Sequence, residues 1–421
     1  MVAFTRFRPA ETLCSKWFAQ SPLRLTADSY VRYLTERGYA APTVDFYFRS
    51  VAHFVYWFDH RRAEIRDINE SLMERFVNKY LPVCRCAPKC LHSRGTVRAA
   101  VALYLKMLRL DGQCTKPESV MPDGIAVELA DFDLHLAEVR GLCPTTRATR
   151  LRHLQDFLID RFDTGPVALS MVTSADIAGF MHRYTAGWKP ASIKAPSSSL
   201  RSYFLFKAIG GEQTTALTAA LPRVAQWRLA GLPQVLSTAE IKQFLGAFDR
   251  DAPIGKRDYA IARCLLDLGL RRAEVARLEF KDVDWQAATL RIHAKGRRVD
   301  VLPLPANTGR AIAAYLQDGR PQTTRREIFV RHRPPINAPA GLDIGRNAVR
   351  YAARRCHLEH RIGGTHILRH TVADRLVQSG TPFKEISDFL RHRSLDTTTI
   401  YAKVDLPALA RVALPWAGRF A

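Results

Sequence analysis

Through the first half of this chain, apolar residues recur at helical spacing in two successive stretches built to one plan. In the first, about 26–112, DSYVRYLTERG is followed by PTVDFYFRSVAHFVYWF, with Gly38 and Pro42 marking the turn between two helices. INESLMERFVNKYL and RGTVRAAVALYLKMLRL fit a third and a fourth helix. In the second, about 125–210, ELADFDLHLAEVRG, Pro144 and TTRATRLRHLQDFLIDRF repeat the opening, and SADIAGFMHRYT and IKAPSSSLRSYFLFKAIGG repeat the close. Arg37-Gly38 and Arg140-Gly141 hold the same place in each stretch, as do Phe54 and Phe157. A long sheet is excluded from this half, and an internal duplication of a four-helix unit is expected.

The pattern changes after a linker-like passage from Thr215 to Pro233. LPQVLSTAEIKQFLGAF opens a new domain, with Ser237 or Thr238 capping a helix and Glu240 in its first turn. Strands are expected at ATLRIHA and RRVDVLPL, joined by the basic turn Lys295–Arg298, and a short one at EIFVRH. The remainder of this domain reads as helix.

Across the last third, a set of basic residues ends in a tyrosine: Arg271, Lys295, His366, Arg369, His392 and Tyr401. Taken singly, each has an ordinary explanation: a surface arginine, a packed histidine, a core tyrosine. Taken together they can break and rejoin a phosphodiester. A phosphodiester under attack gains charge on its non-bridging oxygens, and removing one preorganised donor there typically costs on the order of 3–4 kcal/mol. The planar fork of arginine matches two phosphate oxygens at once, so Arg271 and Arg369 are candidates to clamp the phosphate. His366 and Arg369 are three apart, which puts them on one face of a helix. Tyrosine is a weak nucleophile, with a reference pKa of about 10, and needs a base or cationic surroundings. His366 is the candidate base, Lys295 the candidate acid for the leaving 5′ oxygen, and His392 a hydrogen-bond donor to the phosphate. Glu274 reads as structural, pairing with a buried arginine or capping a helix, and His370 as packing or as support for its neighbours. The resulting 3′-phosphotyrosine would store the bond energy, so neither ATP nor a metal is required.

The strings GLRRAEV, AKGRRVDVLPL, THILRHT, LRHRS and TTTIYAKV resemble, in order and spacing, the motifs of the tyrosine recombinase (phage integrase) family over about 170 residues. One departure stands out: Arg391 occupies the place of the family's usual glycine before His392, so its side chain must point away from the phosphate or touch DNA. The resemblance implies a mainly α, multidomain protein. A helical DNA-binding or arm-type domain would span 1–115, a SAM-like helical core-binding domain 116–215 and a linker 216–232. An α+β catalytic domain with a small antiparallel sheet would span 233–404, followed by a tail, 405–421, able to dock on a neighbouring protomer. It further implies a site-specific recombinase serving integration, excision or transposition of a mobile element. Such an enzyme closes on duplex DNA as a C-shaped clamp, dimeric on one site and tetrameric in synapsis, with accessory recombinases or directionality factors as further partners.

Charge agrees with a nucleic-acid partner: the formal net charge is +23. A membrane surface would attract the same sign, but no run of 18 apolar residues appears and the first residues lack a signal-peptide core, so a cytoplasmic protein with reduced thiols is expected. Four soft ligands, Cys84, Cys86, Cys90 and His92, fall within nine residues and form a candidate structural zinc site, with Cys114 a possible substitute ligand. Their C-x-C-x3-C-x-H spacing is not a common zinc spacing, and a loop of unliganded thiols is the alternative. Two rival functions stand beside recombination. A type IB topoisomerase would use similar residues without strand exchange, and a DNA-binding regulator would keep the fold without chemistry. A metal-dependent transposase is disfavoured, since no carboxylate cluster accompanies the basic set.

Overall fold

The computed structural model describes residues 13–61, 64–85, 93–115, 122–163, 165–223, 233–293, 299–392, 398 and 400–401. It is mostly helical, with one small sheet.

The first helical unit comprises α1 (Leu13–Ala19), α2 (Thr26–Glu36), α3 (Ala41–Asp59), α4 (Glu70–Arg75, running into a π-helical turn, Phe76–Tyr80) and α5 (Arg94–Leu110). Its core is aromatic: Tyr30, Phe54, Phe76 and Tyr104 are fully buried. Burying two phenols requires partners for their hydroxyls. Tyr30 donates to the Ala100 carbonyl at 2.8 Å, and Tyr104 lies 2.6 Å from the Thr26 hydroxyl. The helix α1 was not expected; it adds Trp17 and Phe18 to this core.

The second unit comprises α6 (Asp123–Glu138), α7 (Pro144–Phe162), α8 (Ser174–Tyr184), α9 (Pro190–Ile209) and α10 (Thr215–Ala220), around Phe132, Phe157, Tyr203 and Phe204. Its plan matches that of the first. Gly38 and Gly141 both take positive φ, 78° and 56°, closing the turn before a 19-residue helix. Phe54 and Phe157 each follow the first residue of that helix by thirteen positions (41 to 54, 144 to 157), and both are fully buried. The passage 216–232, expected to be linker, begins instead inside α10, because Leu217 and Leu221 are apolar enough to join the core of this unit.

The C-terminal domain is built around α12. It contains α11 (Thr238–Gly246), α12 (Pro253–Asp267), α13 (Arg272–Ala276), α14 (Ala306–Asp318), α15 (Asp343–Arg355), α16 (His366–Gln378) and α17 (Phe383–Phe389). Ser237 caps α11 as expected: its hydroxyl accepts from the Glu240 amide while the Glu240 carboxylate accepts from the Ser237 amide. The sheet is antiparallel, in the order β1 (Val283–Asp284), β2 (Thr289–His293), β3 (Val299–Pro303). The β2–β3 hairpin stands where expected, with His293 opposite Val299. The strand expected at 327–332 does not form. Its carbonyls at Glu327 and Ile328 are taken by the Arg320 guanidinium, leaving a single bridge from Glu327 to Glu279. The third strand is Val283–Asp284, too short to read from alternation.

α16 is apolar on two sides. Ile367 and Leu368 join the main core, whereas Val372, Ala373 and Val377 form a second cluster with Ile386, Leu390 and Tyr401. Of its polar residues Arg369 and Thr371 are buried, whereas His366 at the start and Arg375 and Gln378 towards the end are exposed.

Truncating Phe54 or Phe157 to alanine should cost about 3–5 kcal/mol each in the unit that holds it. Hydrogen exchange is the check: opening should become easier in 26–110 for Phe54→Ala and in 123–220 for Phe157→Ala, each without the other.

Candidate active site

The site begins at a turn that favours glycine. Gly269 has φ +57°, and a Cβ there would lie 2.7 Å from Leu390 Cδ2. The turn sets Arg271 at the head of α13, where its backbone N–H donates to Glu274 Oε2 at 2.8 Å and its Nη1 to Glu274 Oε1 at 2.7 Å. Its Nη2 donates to the Arg391 carbonyl at 2.8 Å. The Arg271 side chain stays 38% exposed, so it can reach a ligand from solvent.

Arg369, one turn into α16, is only 7% exposed. Its guanidinium donates to the carbonyls of Gly269 and Leu390, which ties the Gly269 turn to the segment after α17. Burial, then Arg271 and Arg391, push its pKa down to about 9, which leaves it charged at neutral pH.

Arg391 is where the chain departs from the expected glycine. It keeps a glycine-like backbone, φ +55°, and turns its side chain inward. There it pairs with Glu274 Oε2 at 3.1 Å and donates to the Phe389 carbonyl at 2.8 Å. Glu274 thus caps α13 and bridges two arginines, one of them buried, as its structural reading anticipated. Burial raises the Glu274 pKa, but Arg391 and Arg271 outweigh it and hold the carboxyl below its usual value.

Two further expected residues lie in the same neighbourhood. His392 Nδ1 is 2.8 Å from the Thr398 hydroxyl. Burial, followed by Arg369, Arg271, Arg391 and His370, drops its pKa to about 4, so it is neutral here. His366 opens α16, and burial with Arg369, Arg272 and Arg271 lowers its pKa too. Tyr401 is buried in the small cluster on α16, and burial lifts its pKa to about 12 against the opposing pull of Arg369.

The residue on the phenol is His370, whose expected role was packing or support for its neighbours. His370 Nδ1 lies 2.7 Å from the Tyr401 hydroxyl. The signal was present in the spacing: His366, Arg369 and His370 at i, i+3 and i+4 share one helix face. What spacing could not show was which histidine faces the tyrosine 31 residues on.

Lys295, expected on the β2–β3 turn, lies outside the described residues, as do Cys86, Cys90 and His92 of the zinc candidate. Cys84 is half-exposed and Cys114 is buried in the first unit's core. Among the described residues no group of three or more His, Cys, Asp and Glu is arranged to hold a metal, and no helix is long and apolar enough to cross a membrane.

Over residues 234–406 the chain matches the family model described as the phage integrase family. It is 33% identical over 404 residues to a protein named as integrase/recombinase y4rA of Sinorhizobium fredii, covering 95% of this chain and 96% of that one. To the tyrosine recombinase XerD of Listeria monocytogenes it is 27% identical over 292 residues, covering 66% of this chain and 93% of the relative. Among solved structures, XerH recombinase bound to palindromic difH substrate aligns with a TM-score of 0.55 at 18% identity, over 70% of this chain and 97% of that one. A lambda integrase dimer bound to a COC′ core site aligns at 0.50 and 19% identity, over 66% of this chain and 94% of that one. These two likenesses carry the fold.

Two outcomes test this electrostatic arrangement. Arg391→Gly should relieve about 1 kcal/mol of left-handed backbone but leave Glu274 short of a buried partner at about 3–5, a net loss of about 2–4 kcal/mol. Adding Glu274→Gln should recover part of that loss in a denaturant double-mutant cycle. The second concerns pH. The folded pKa of His392 is depressed from 6.5 to about 4, so the unfolded chain binds the proton first. Stability of this domain should be full above about 6.5 and decline as pH falls towards 4, with a shallower decline in His392→Gln, read by thermal melts.

Proposed function

The chain belongs to the phage integrase family of tyrosine recombinases, and from that premise we propose that it cuts and rejoins duplex DNA through a 3′-phosphotyrosine on Tyr401. It is a DNA recombinase; the proposal is the covalent route, the residues that carry it, and a role in integrating, excising or transposing a mobile element. Arg271 and Arg369 grip the non-bridging oxygens, His392 donates a hydrogen bond to them, and Lys295 protonates the leaving 5′ oxygen. His366 completes the set.

The observation that carries this reading is the local charge. Three guanidiniums, Arg271, Arg369 and Arg391, meet beside a buried phenol, with the Glu274 carboxylate bonded to two of them and Asp300 also acting on Arg391. The balance of charge there stays positive. A phosphodiester gains negative charge as its five-coordinate transition state forms, so preorganised cations suit the transition state better than the ground state. These fixed cations do what a metal ion does elsewhere, and cleavage needs none.

Helix α15 supports a duplex partner. Its buried side is made of small residues, Gly345, Ala348, Ala352 and Ala353, with Ile344 and Val349. Its outer side carries Arg346, Arg350, Tyr351 and Arg354, and among the described residues none of these arginines is in an ion pair. Unpaired arginines on one rigid face suit phosphates and base edges alike. The partners proposed with DNA are further copies of this chain, two on one site and four in synapsis. The tail 405–421, outside the described residues, would dock between copies.

The test uses nicked duplexes cut from DNA flanking the gene. Wild-type protein should form a covalent adduct on denaturing gels, with or without excess chelator, whereas Tyr401→Phe should bind the same duplexes and form none. An adduct from Tyr401→Phe would assign the nucleophile elsewhere, and loss of cleavage in chelator with the fold intact would overturn metal independence. Relaxation of supercoils without strand exchange would favour a topoisomerase.

A further inference from the structure

Resting on the proposed tyrosine chemistry, we infer that His370 is the base that takes the proton of Tyr401. Its Nδ1 is 2.7 Å from the phenolic oxygen, within the range for direct transfer. Among the described residues of the basic set no other side chain is so placed: His392 is turned to Thr398, Arg369 to two carbonyls, and Arg271 to Glu274 and the Arg391 carbonyl.

The surroundings keep His370 ready to accept. It sits on α16 beside His366 and Arg369, and His392 approaches from the segment after α17. Burial acts first, then His366 and Arg369, and all lower its affinity for a proton. On α12 and α17, which pack against the same helix, Arg263 pairs with Asp267 and Lys384 with Asp388, and Glu385 is a further carboxylate of α17. Asp374 stands one turn on along α16. Among the described residues the groups that act on the His370 imidazole are His366 and Arg369, and no carboxylate is one of them. With its own proton on Nε2, Nδ1 presents a lone pair to the phenol.

The step balances as follows. The Tyr401 O–H bond breaks and its proton passes to His370 Nδ1. The phenolic oxygen forms a bond to phosphorus while the bond from phosphorus to the 5′ oxygen breaks. The leaving oxygen takes its proton from the general acid, assigned above to Lys295. On resealing, the 5′ hydroxyl attacks phosphorus and gives its proton back to the Lys295 amine, while the bond from phosphorus to the phenolic oxygen breaks and the His370 imidazolium returns its proton to that oxygen. One residue thus serves both directions, as reversibility of the strand transfer demands.

The experiment isolates nucleophile activation. Nicked duplexes from the gene's flanking DNA are made with sulfur in place of the bridging 5′ oxygen, a leaving group that needs no acid. Single-turnover adduct formation is followed between pH 5 and 9 at saturating protein, on the order of the range in which histidine titrates. Wild-type protein should show a rate that falls at acid pH as one group protonates. His370→Ala should be slower by about 10²-fold or more and lose that acid limb. His370→Asn puts a carbonyl oxygen near the place of Nδ1; it should hold the phenol, melt and bind DNA as wild type does, and still be slow with a flat acid limb. A near-normal rate in His370→Asn would overturn the inference, because a hydrogen-bond acceptor alone would then suffice. So would an acid limb that survives in His370→Asn and disappears in His366→Gln, which would return the base role to His366. If wild-type protein forms no adduct on any of these duplexes, it is the proposed function that fails.

Discussion

The geometry of the C-terminal domain depends on one guanidinium. Arg369 is buried in a helix that is apolar on two sides, and a buried cation with unfilled donors would cost several kcal/mol. Two of its donors go to the carbonyls of Gly269 and Leu390, 100 and 21 residues away in sequence. Two chain reversals are therefore pinned to one side chain. The first delivers Arg271, and the second delivers Arg391 and His392. The demand on Gly269 follows, since its carbonyl reaches Arg369 from a left-handed turn in which a Cβ would crowd the Leu390 side chain. Position and charge at the site are thus settled by the same bonds.

Those bonds also explain how three arginines tolerate one another. Arg369 is held by carbonyl dipoles, which neutralise no charge. Glu274 is the carboxylate shared between Arg271 and Arg391, and Asp300 also acts on Arg391. An arginine where a glycine is usual adds a charge that Glu274 absorbs, and this leaves Arg271 less firmly claimed. Arg271 is also the exposed member, so a phosphate would meet first the arginine with most freedom to leave its partner.

Much of this was legible in the sequence, and the part that was not has a common cause. The helices of both N-terminal units, the β2–β3 hairpin and the Ser237 cap follow from local period and local hydrogen bonding, which strings of ten to twenty residues carry. The meeting of Arg271, Arg369, His392 and Tyr401 in one domain followed from motif order and spacing. What escaped was decided by side-chain partners that a local period does not report. Arg320 takes the carbonyls that would have made 327–332 a strand, the core of the second unit draws Leu217 out of a supposed linker, and the inward turn of Arg391 depends on Glu274, 117 residues earlier. The contact of His370 with Tyr401 belongs to this group. The spacing placed the histidine on the right face but could not say what it would meet.

The position of Tyr401 shows why cations alone do not complete the chemistry. Its phenol sits in an apolar cluster of Val372, Ile386 and Leu390, where burial holds its proton on. In the free protein Arg369 works against that burial, easing the way to phenolate. A phosphate bound to the arginines would cancel this help, since its negative charge offsets theirs and repels a second negative charge beside it. The substrate would therefore make the nucleophile harder to ionise just when ionisation is needed. A base in direct contact avoids the difficulty, because the proton leaves only as the bond to phosphorus forms and free phenolate is never required. Such a base must be neutral before substrate arrives. Burial, then His366 and Arg369, one of the arginines that await the phosphate, press His370 towards that state.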